Sequence, residues 1–529
     1  MHTSDHTTDL QAKQVNVLRD TPSTKRTAPS SASAWKNAQP SARSGAAPSP
    51  ANSLLQLQQT AGNSAALQQA HHGATQGDAI QRMPTRDQVV RQLGPPKEHV
   101  KNPLAGKWLG KKLRVNENLK NNSSRYRSIL DKLDLFNTYI TTTAVGDTQQ
   151  AVEQQLDQIK AHYRSVETAL QQYEASKEGG AKAAYFQNLL AQLPTERAET
   201  IVNGHRLMHE PPAERTMWSV HAARTAGTMV LNDRMSTNQT IQGGINEVKF
   251  FRHGRTEGAF KANKDTLADV DMMAPDVDIN SPEAKESGIA DDFGIDKQDA
   301  RLSKRDVALS RLNQMLGANV IAKAQLAIYE SGGGPVSGSF MDKADGKTAG
   351  ALGKSGEMTS DGANDTVNVN DPNLQRLMSR LQLIDTLAMQ ADRHQGNYFI
   401  DYDDRGNVVS VTGIDNDMSF GTRTKIDVRR QEYPSLSKFV DKELAQRILA
   451  LNAEDLGLVM QDLLNPAEIG ALMERLDKLQ THLQKLQSDN KLLAPGEWND
   501  ITAEALAAEN NGYEGGSYYG KLKNEVDGD

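Results

Sequence analysis

The chain has 529 residues, a formal net charge of −7 and no cysteine. Lack of thiols removes cysteine nucleophiles, disulfides and cysteine-built zinc sites, and the acidic balance argues against a broad nucleic-acid footprint. No apolar run is long enough to cross a bilayer, and there is room for two or three domains.

Residues 1–85 are dominated by Ser, Thr, Ala, Gln and Pro, with Trp35 the only aromatic. Such a segment cannot bury enough apolar surface to offset its ordering entropy, so a disordered leader is expected. It has no charged-then-apolar start, and no Sec signal is expected. Inside it lies one patterned island, Leu54-Leu55-Gln56-Leu57 through Gly62-Asn63-Ser64 to Leu67. The island reads either as a nascent amphipathic helix in a linker or as a recognition handle. It resembles the short Leu-rich element near the N-termini of cargo proteins of extracellular contractile injection systems and related bacterial toxins. That resemblance implies packaging by a loading machinery and delivery from the bacterial cytoplasm into a target-cell cytosol.

Residues 86–215 read as all-helical. Ile129, Leu133, Phe136 and Ile140 mark one amphipathic helix; Val152, Leu156, Ile159, Tyr163, Val166, Leu170 and Tyr173 mark a second at alternating spacings of four and three. This is a heptad seam, and it predicts an antiparallel helical hairpin.

Residues 216–488 change character. Gly243-Gly244 precede a strand-like run ending at Arg252, and after His253-Gly254-Arg255 a second strand closes on Gly258-Ala259-Phe260-Lys261. Paired glycines permit close backbone approach to phosphates. Lys261 is the phosphate-binding candidate, and Lys249 competes with it, on the opposite strand face from Val248 and Phe250. The Asp-rich stretch between Lys264 and Lys304 reads as a loop or lid. A helix over Arg305–Gly317 follows, with Asp306 placed to pair with the lysine or to serve the helix dipole. Gln325–Tyr329 and Val336–Asp342 are strand-like around Gly332-Gly333-Gly334, which lacks the Gly-Lys-Ser/Thr ending of a P-loop. Residues 343–371 read as a mobile Gly-, Ser- and Asp-rich connection.

The most chemistry-bearing stretch follows an apolar helical run through Leu383, Ile384 and Leu387. It reads Asp392-Arg393-His394-Gln395-Gly396-Asn397, then a hairpin, then Gly413-Ile414-Asp415-Asn416-Asp417. An acid to orient an attacking hydroxyl, followed by an Asn and an Asp to hold magnesium on nucleotide phosphates, is the set that phosphoryl transfer needs. The spellings Asp-Arg-His-x-x-Asn and Ile-Asp resemble the phosphatidylinositol 3/4-kinase-like superfamily over roughly residues 215–487. The resemblance implies a two-lobed, α+β protein-kinase-like fold binding ATP and Mg2+. It implies Asp392 as catalytic aspartate, His394 as a structural or transition-state-facing residue of the loop, Asn397 and Asp415 as metal ligands, and Lys261 as phosphate clamp. Asp417 departs from the family pattern and stands as a second metal contact or a turn residue.

The expected architecture is therefore a leader (1–85), a helical domain (86–215), a kinase-like domain (216–488; N-lobe about 216–340, C-lobe about 372–488) and a flexible acidic tail (489–529). The basic residues Arg423, Lys425, Arg429 and Arg430 stand where an activation segment would face an anionic substrate. A protein hydroxyl is preferred over a phosphoinositide as acceptor, because no membrane-targeting surface is visible. Nucleotidyl transfer and a non-catalytic pseudokinase are the alternatives.

Overall fold

Helical periodicity dominates the first part of the structure. The computed structural model describes residues 83–96, 110–176, 180–218, 228–241, 248–271, 274, 277–360, 366–426, 436–508 and 516–528. The Leu54–Leu67 island and the Gly243-Gly244 pair lie outside the described residues.

Helix α1 (Arg86–Leu93) opens on a capping box in which Thr85 and Gln88 satisfy each other's backbone donors. Helices α2 (Gly110–Thr142), α3 (Gln149–Glu174) and α4 (Ala181–His209) pack in sequence order. All seven seam residues of α3 are buried, as are Ile129, Leu133, Phe136 and Ile140 of α2. The predicted hairpin thus gains a third helix. Its apolar face is too diluted by Thr, Glu and Asn to stand out by periodicity.

The sheet that follows has six strands: β1 (Met229–Asn232), β2 (Ser236–Ile241), β3 (Val248–His253), β4 (Thr256–Ala262), β5 (Ala324–Ser331) and β6 (Gly334–Asp342). Their spatial order is β1-β5-β6-β4-β3-β2, antiparallel except for the β1–β5 pair. Between β4 and β5 lie α5 (Pro282–Phe293) and α6 (Leu302–Leu316). The Asp-rich stretch expected as a loop thus carries a helix, capped by the Ser281 side chain and by Gly294 at φ 68°. Lys297 draws Asp269 and Asp291 together at 2.7 and 2.9 Å, which offsets the local negative charge.

Beyond Asp342 the chain enters β7 (Lys347–Thr348), α7 (Ala349–Lys354), β8 (Met358–Thr359) and β9 (Val367–Asn368). The stretch expected as a mobile connection is thus mostly built. Its strand β7 pairs with β10 (Tyr398–Tyr402), which pairs in turn with β11 (Val408–Gly413). Helix α8 (Pro372–Ala388) precedes this hairpin and is buried along most of its length.

The remaining elements are β12 (Val440–Asp441), α9 (Lys442–Ala450), α10 (Ala453–Met460), α11 (Pro466–Ser488), β13 (Leu492–Leu493), α12 (Asp500–Ala508) and α13 (Tyr518–Gly528). The described residues 489–508 and 516–528, expected as a flexible tail, are instead packed: Trp498, Leu506, Tyr518, Tyr519 and Leu522 are buried. Tyr518, Tyr519 and Leu522 share one helical face, and burying it outweighs the solvation of the acidic residues beside it. The whole is a mixed α+β structure, and among the described residues no helix is long and apolar enough to cross a membrane.

The helical bundle is joined to α10 through buried charges rather than a simple apolar seam. Lys160 on α3 and His205 on α4 reach the two oxygens of Asp455 at 2.6 and 2.9 Å. Replacing Asp455 by Ala leaves Lys160 paired with Asp157 at 2.8 Å but takes away its buried partner, and is expected to cost about 1–3 kcal/mol in chemical denaturation, whereas Lys160→Met combined with Asp455→Leu should recover most of it. Equal losses in the single and double variants would show that the pair does not hold the bundle.

Candidate functional site

Two loops and one strand meet at the site. Strand β4 pairs with β3 so that Lys261 lies opposite Val248, and with β6 so that it lies opposite Ser339. Lys249 lies opposite Phe260, on the other face, with its ammonium 5.0 Å from the Tyr329 ring centre. The face carrying Lys261 and Ser339 looks toward α6. The opposite face holds a separate aromatic core of Phe251, Phe260, Tyr329 and Phe340. Strand register alone thus separates the two lysines.

The Lys261 ammonium donates to Asp415 Oδ1 at 2.6 Å and to Asp417 Oδ2. Burial disfavours the charged lysine, but Asp415, Asp417 and Asp306 outweigh it and hold its pKa well above the ordinary value. Proximity to Lys261 lowers the Asp415 pKa. Desolvation pushes Asp417 up to about 7 and Asp306 up to about 6, against the pull of the same lysine. Several carboxylates thus share one cation here.

Asp306 does not ion-pair with Lys261 as expected from the sequence. Its carboxylate accepts from the Asn416 backbone N–H at 2.9 Å and from Ser339 Oγ at 3.0 Å. The short Asp side chain on α6 is used up by the loop in front of it, so it fixes the backbone between Asp415 and Asp417 and acts on Lys261 only through space. Asp415 itself sits at φ 53°, in the left-handed region that a non-glycine residue rarely occupies. Gln390 Nε2 holds the Asp415 carbonyl at 2.9 Å in that conformation.

The second loop leaves α8. Asn397 Nδ2 donates to the Asp392 carbonyl at 2.8 Å and to its carboxylate at 3.4 Å, so the two residues move as a unit. His394 is half exposed; its Nε2 lies 4.0 Å from Asp392 Oδ2, and its Nδ1 accepts the Gly396 N–H at 3.0 Å. It shapes the turn and borders the aspartate.

What joins the loops is Arg393, to which the sequence reading gave no role. Fully buried, its guanidinium grips Asp385 in α8 through Nε at 2.9 Å and Nη2 at 3.1 Å. It also donates to the Asn397 carbonyl at 2.7 Å, the Ile414 carbonyl at 2.5 Å and Asn416 Oδ1 at 2.6 Å. One side chain thereby sets the distance between Asn397 and Asp415. The sequence did hold a signal, a lone carboxylate at Asp385 within an otherwise apolar helical stretch, because a buried carboxylate demands a partner.

Behind the site, Arg305 donates to the Ala300 carbonyl at 2.6 Å, to the Ser419 carbonyl and to Glu468. Arg475 holds the Gly421 and Arg423 carbonyls at 2.8 Å each. Gly421 is required there, since a Cβ would stand 2.0 Å from the Phe293 carbonyl oxygen. Of the basic segment, residues 427–430 lie outside the described residues. Among the described residues no group of three or more His, Asp or Glu side chains could by itself enclose a metal ion. A cavity of about 690 Å3 is lined by Arg234, Arg252, Glu257 and Lys343 among others and shares no residue with the Lys261 cluster.

No family model and no curated protein matches this chain. Among solved structures it is similar to the crystal structure of a Helicobacter pylori proinflammatory kinase, CtkA, at 12% identity and a TM-score of 0.30, over 49% of this chain and 98% of that one, a likeness too slight to decide fold or function.

Proposed function

We propose that this chain is an ATP- and magnesium-dependent phosphotransferase of kinase-like architecture that modifies a hydroxyl group on a protein. The observation that carries the reading is the Lys261 ammonium bonded to both Asp415 and Asp417, residues 154 and 156 positions away in the chain, beside the coupled Asp392–Asn397 loop. In this reading Lys261 exchanges its carboxylate partners for nucleotide phosphates. Asp415, Asp417 and the Asn397 carboxamide form a hard oxygen donor set that fits a magnesium ion, which ordinarily takes one or two protein carboxylates plus phosphates rather than an all-protein cage. Magnesium would neutralise charge on the transferring phosphoryl group.

Asp392 then orients the acceptor hydroxyl and takes its proton, Asn397 keeps the Asp392 carboxylate aimed, and Asp306 maintains the loop on which Asp415 and Asp417 sit. The half-exposed His394 borders the path by which an acceptor would approach. Delivery as an injected effector is a further part of the reading. It is supported by the Leu54–Leu67 resemblance alone.

The test is intact-mass analysis of candidate acceptor proteins incubated with the full chain, ATP and magnesium. A phosphoryl increment is expected, and Asp392→Asn should reduce its rate by on the order of a hundredfold or more while ATP binding persists. A nucleotidyl increment would move the chain to nucleotidyl transfer. Unaltered turnover in the Asp392 variant would sink the assignment.

A further inference from the structure

The carboxylate of Asp385 is fully buried, and Arg393 is not its only partner. Tyr518, on the last helix of the chain, donates its hydroxyl to Asp385 Oδ2 at 3.0 Å, the same oxygen that receives Arg393 Nε. The backbone around Tyr518 is locked in place: Gln382 on α8 accepts the Tyr518 N–H at 2.9 Å and donates to the Gly516 carbonyl at 2.8 Å. Two turns further, Glu525 accepts a hydrogen bond from Gln395, inside the loop between Asp392 and Asn397. Lys523 donates to Asn370 at 2.8 Å, and Asp527 accepts from Ser360 at 2.6 Å. The helix is pressed against α12 so closely that a Cβ on Gly520 would stand 2.0 Å from the Leu506 carbonyl oxygen.

We infer that α13 is a positioning element for the catalytic loop, with Tyr518 completing the Asp385–Arg393 clamp that spaces Asn397 from Asp415. A carboxylate that accepts two guanidinium bonds and a hydroxyl is fixed in rotamer, and that fixes the guanidinium it holds. Without the hydroxyl, Asp385 keeps its partner but loses one of the bonds that define its orientation. Tyr518 touches no reacting atom; it acts through Asp385 and Arg393, as outer partners of ligating residues do.

The adjacent Tyr519 is an internal control. It is 1% exposed on the same helix, and its hydroxyl has no hydrogen-bond partner among the described residues. Tyr518→Phe and Tyr519→Phe should therefore be alike in packing and different in consequence.

The experiment measures both variants in the full-length protein by amide hydrogen exchange and by turnover. Tyr518→Phe is expected to speed exchange at residues 393–397 and 414–416 while leaving strands β4 and β6 unchanged, and to lower kcat about tenfold with little change in the KM for ATP. Tyr519→Phe should do neither. Glu525→Ala, at an exposed contact, covers the case in which Tyr518→Phe fails to fold, and should loosen residues 394–397 alone. The turnover arm rests on the phosphotransferase reading, whereas the exchange arm does not. Loop exchange unchanged in both Tyr518→Phe and Glu525→Ala would overturn the inference, as would identical behaviour of the two tyrosine variants. Loosened loops in a protein that transfers no phosphoryl group would support the positioning role and tell against the activity.

Discussion

Lys261→Met is expected to eliminate magnesium-dependent ATP binding, as read by calorimetry, and to reduce phosphoryl transfer by on the order of a hundred- to a thousandfold. The ammonium is bonded directly to Asp415 and Asp417, and it faces Asp306 through space. Methionine fills a similar volume but supplies no charge, so the carboxylates repel and the loop carrying Asp415 and Asp417 must relax. The same change at Lys249, on the aromatic face of the sheet, removes a contact with Tyr329 on the far side from Asp415 and Asp417 and should leave the KM for ATP within about twofold. A variant pair with the opposite ranking would place the phosphate contact on the wrong side of the sheet.

Arg393→Met is expected to be the most destabilising single substitution near the site. It deletes the five hydrogen bonds to Asp385, Asn397, Ile414 and Asn416 and strands a fully buried carboxylate. Breaking such a pair from one side costs about 3–5 kcal/mol, measurable as a lowered denaturation midpoint. Lysine in its place keeps the charge but cannot make the two-pronged contact with Asp385, so Arg393→Lys should fold better than Arg393→Met and still lose most turnover. If Arg393→Lys matched the unaltered protein in stability and rate, the clamp would have no role.

Much of the site was legible because its residues occur as short strings. Asp392, His394 and Asn397 fall within six positions, Asp415 and Asp417 within three, and the chemistry of each string is local. Lys249 was set aside by alternation within its own strand and Lys261 was chosen because it closes the hairpin, but only the β3–β4 register puts the two on opposite faces. The fold's helical seams were equally plain, since Leu156, Tyr163 and Leu170 recur at the spacing that burial imposes. Arg393, Asp385 and Tyr518 were harder to read, because their meaning lies in contacts across the chain. Nothing local tells that Tyr518 reaches back 133 residues to Asp385. Asp306 was found, but its partner was not, because a side-chain hydrogen bond to a distant backbone N–H leaves no mark on composition or period. The supposed flexible tail failed for a related reason: its acidic residues are conspicuous, while the burial of Tyr518, Tyr519 and Leu522 depends on a groove that other elements build.

Helix α6 bears on how the sheet is coupled to the helical body. Arg305 moors it to Ser419 and Glu468, Arg311 to Asp462 at 2.6 Å, and Asp306 to the Asn416 backbone, whereas its side-chain ties to the sheet are Asp306 with Ser339 and Ser310 Oγ with the Ala324 N–H at 2.8 Å. The helix is thus an axle seated in the helical body, with the sheet mounted on it like a lever. Because β4 is laddered to β6, the sheet can shift against α6 only as one piece, and such a shift needs rupture of the Lys261 ion pairs but none of the arginine moorings.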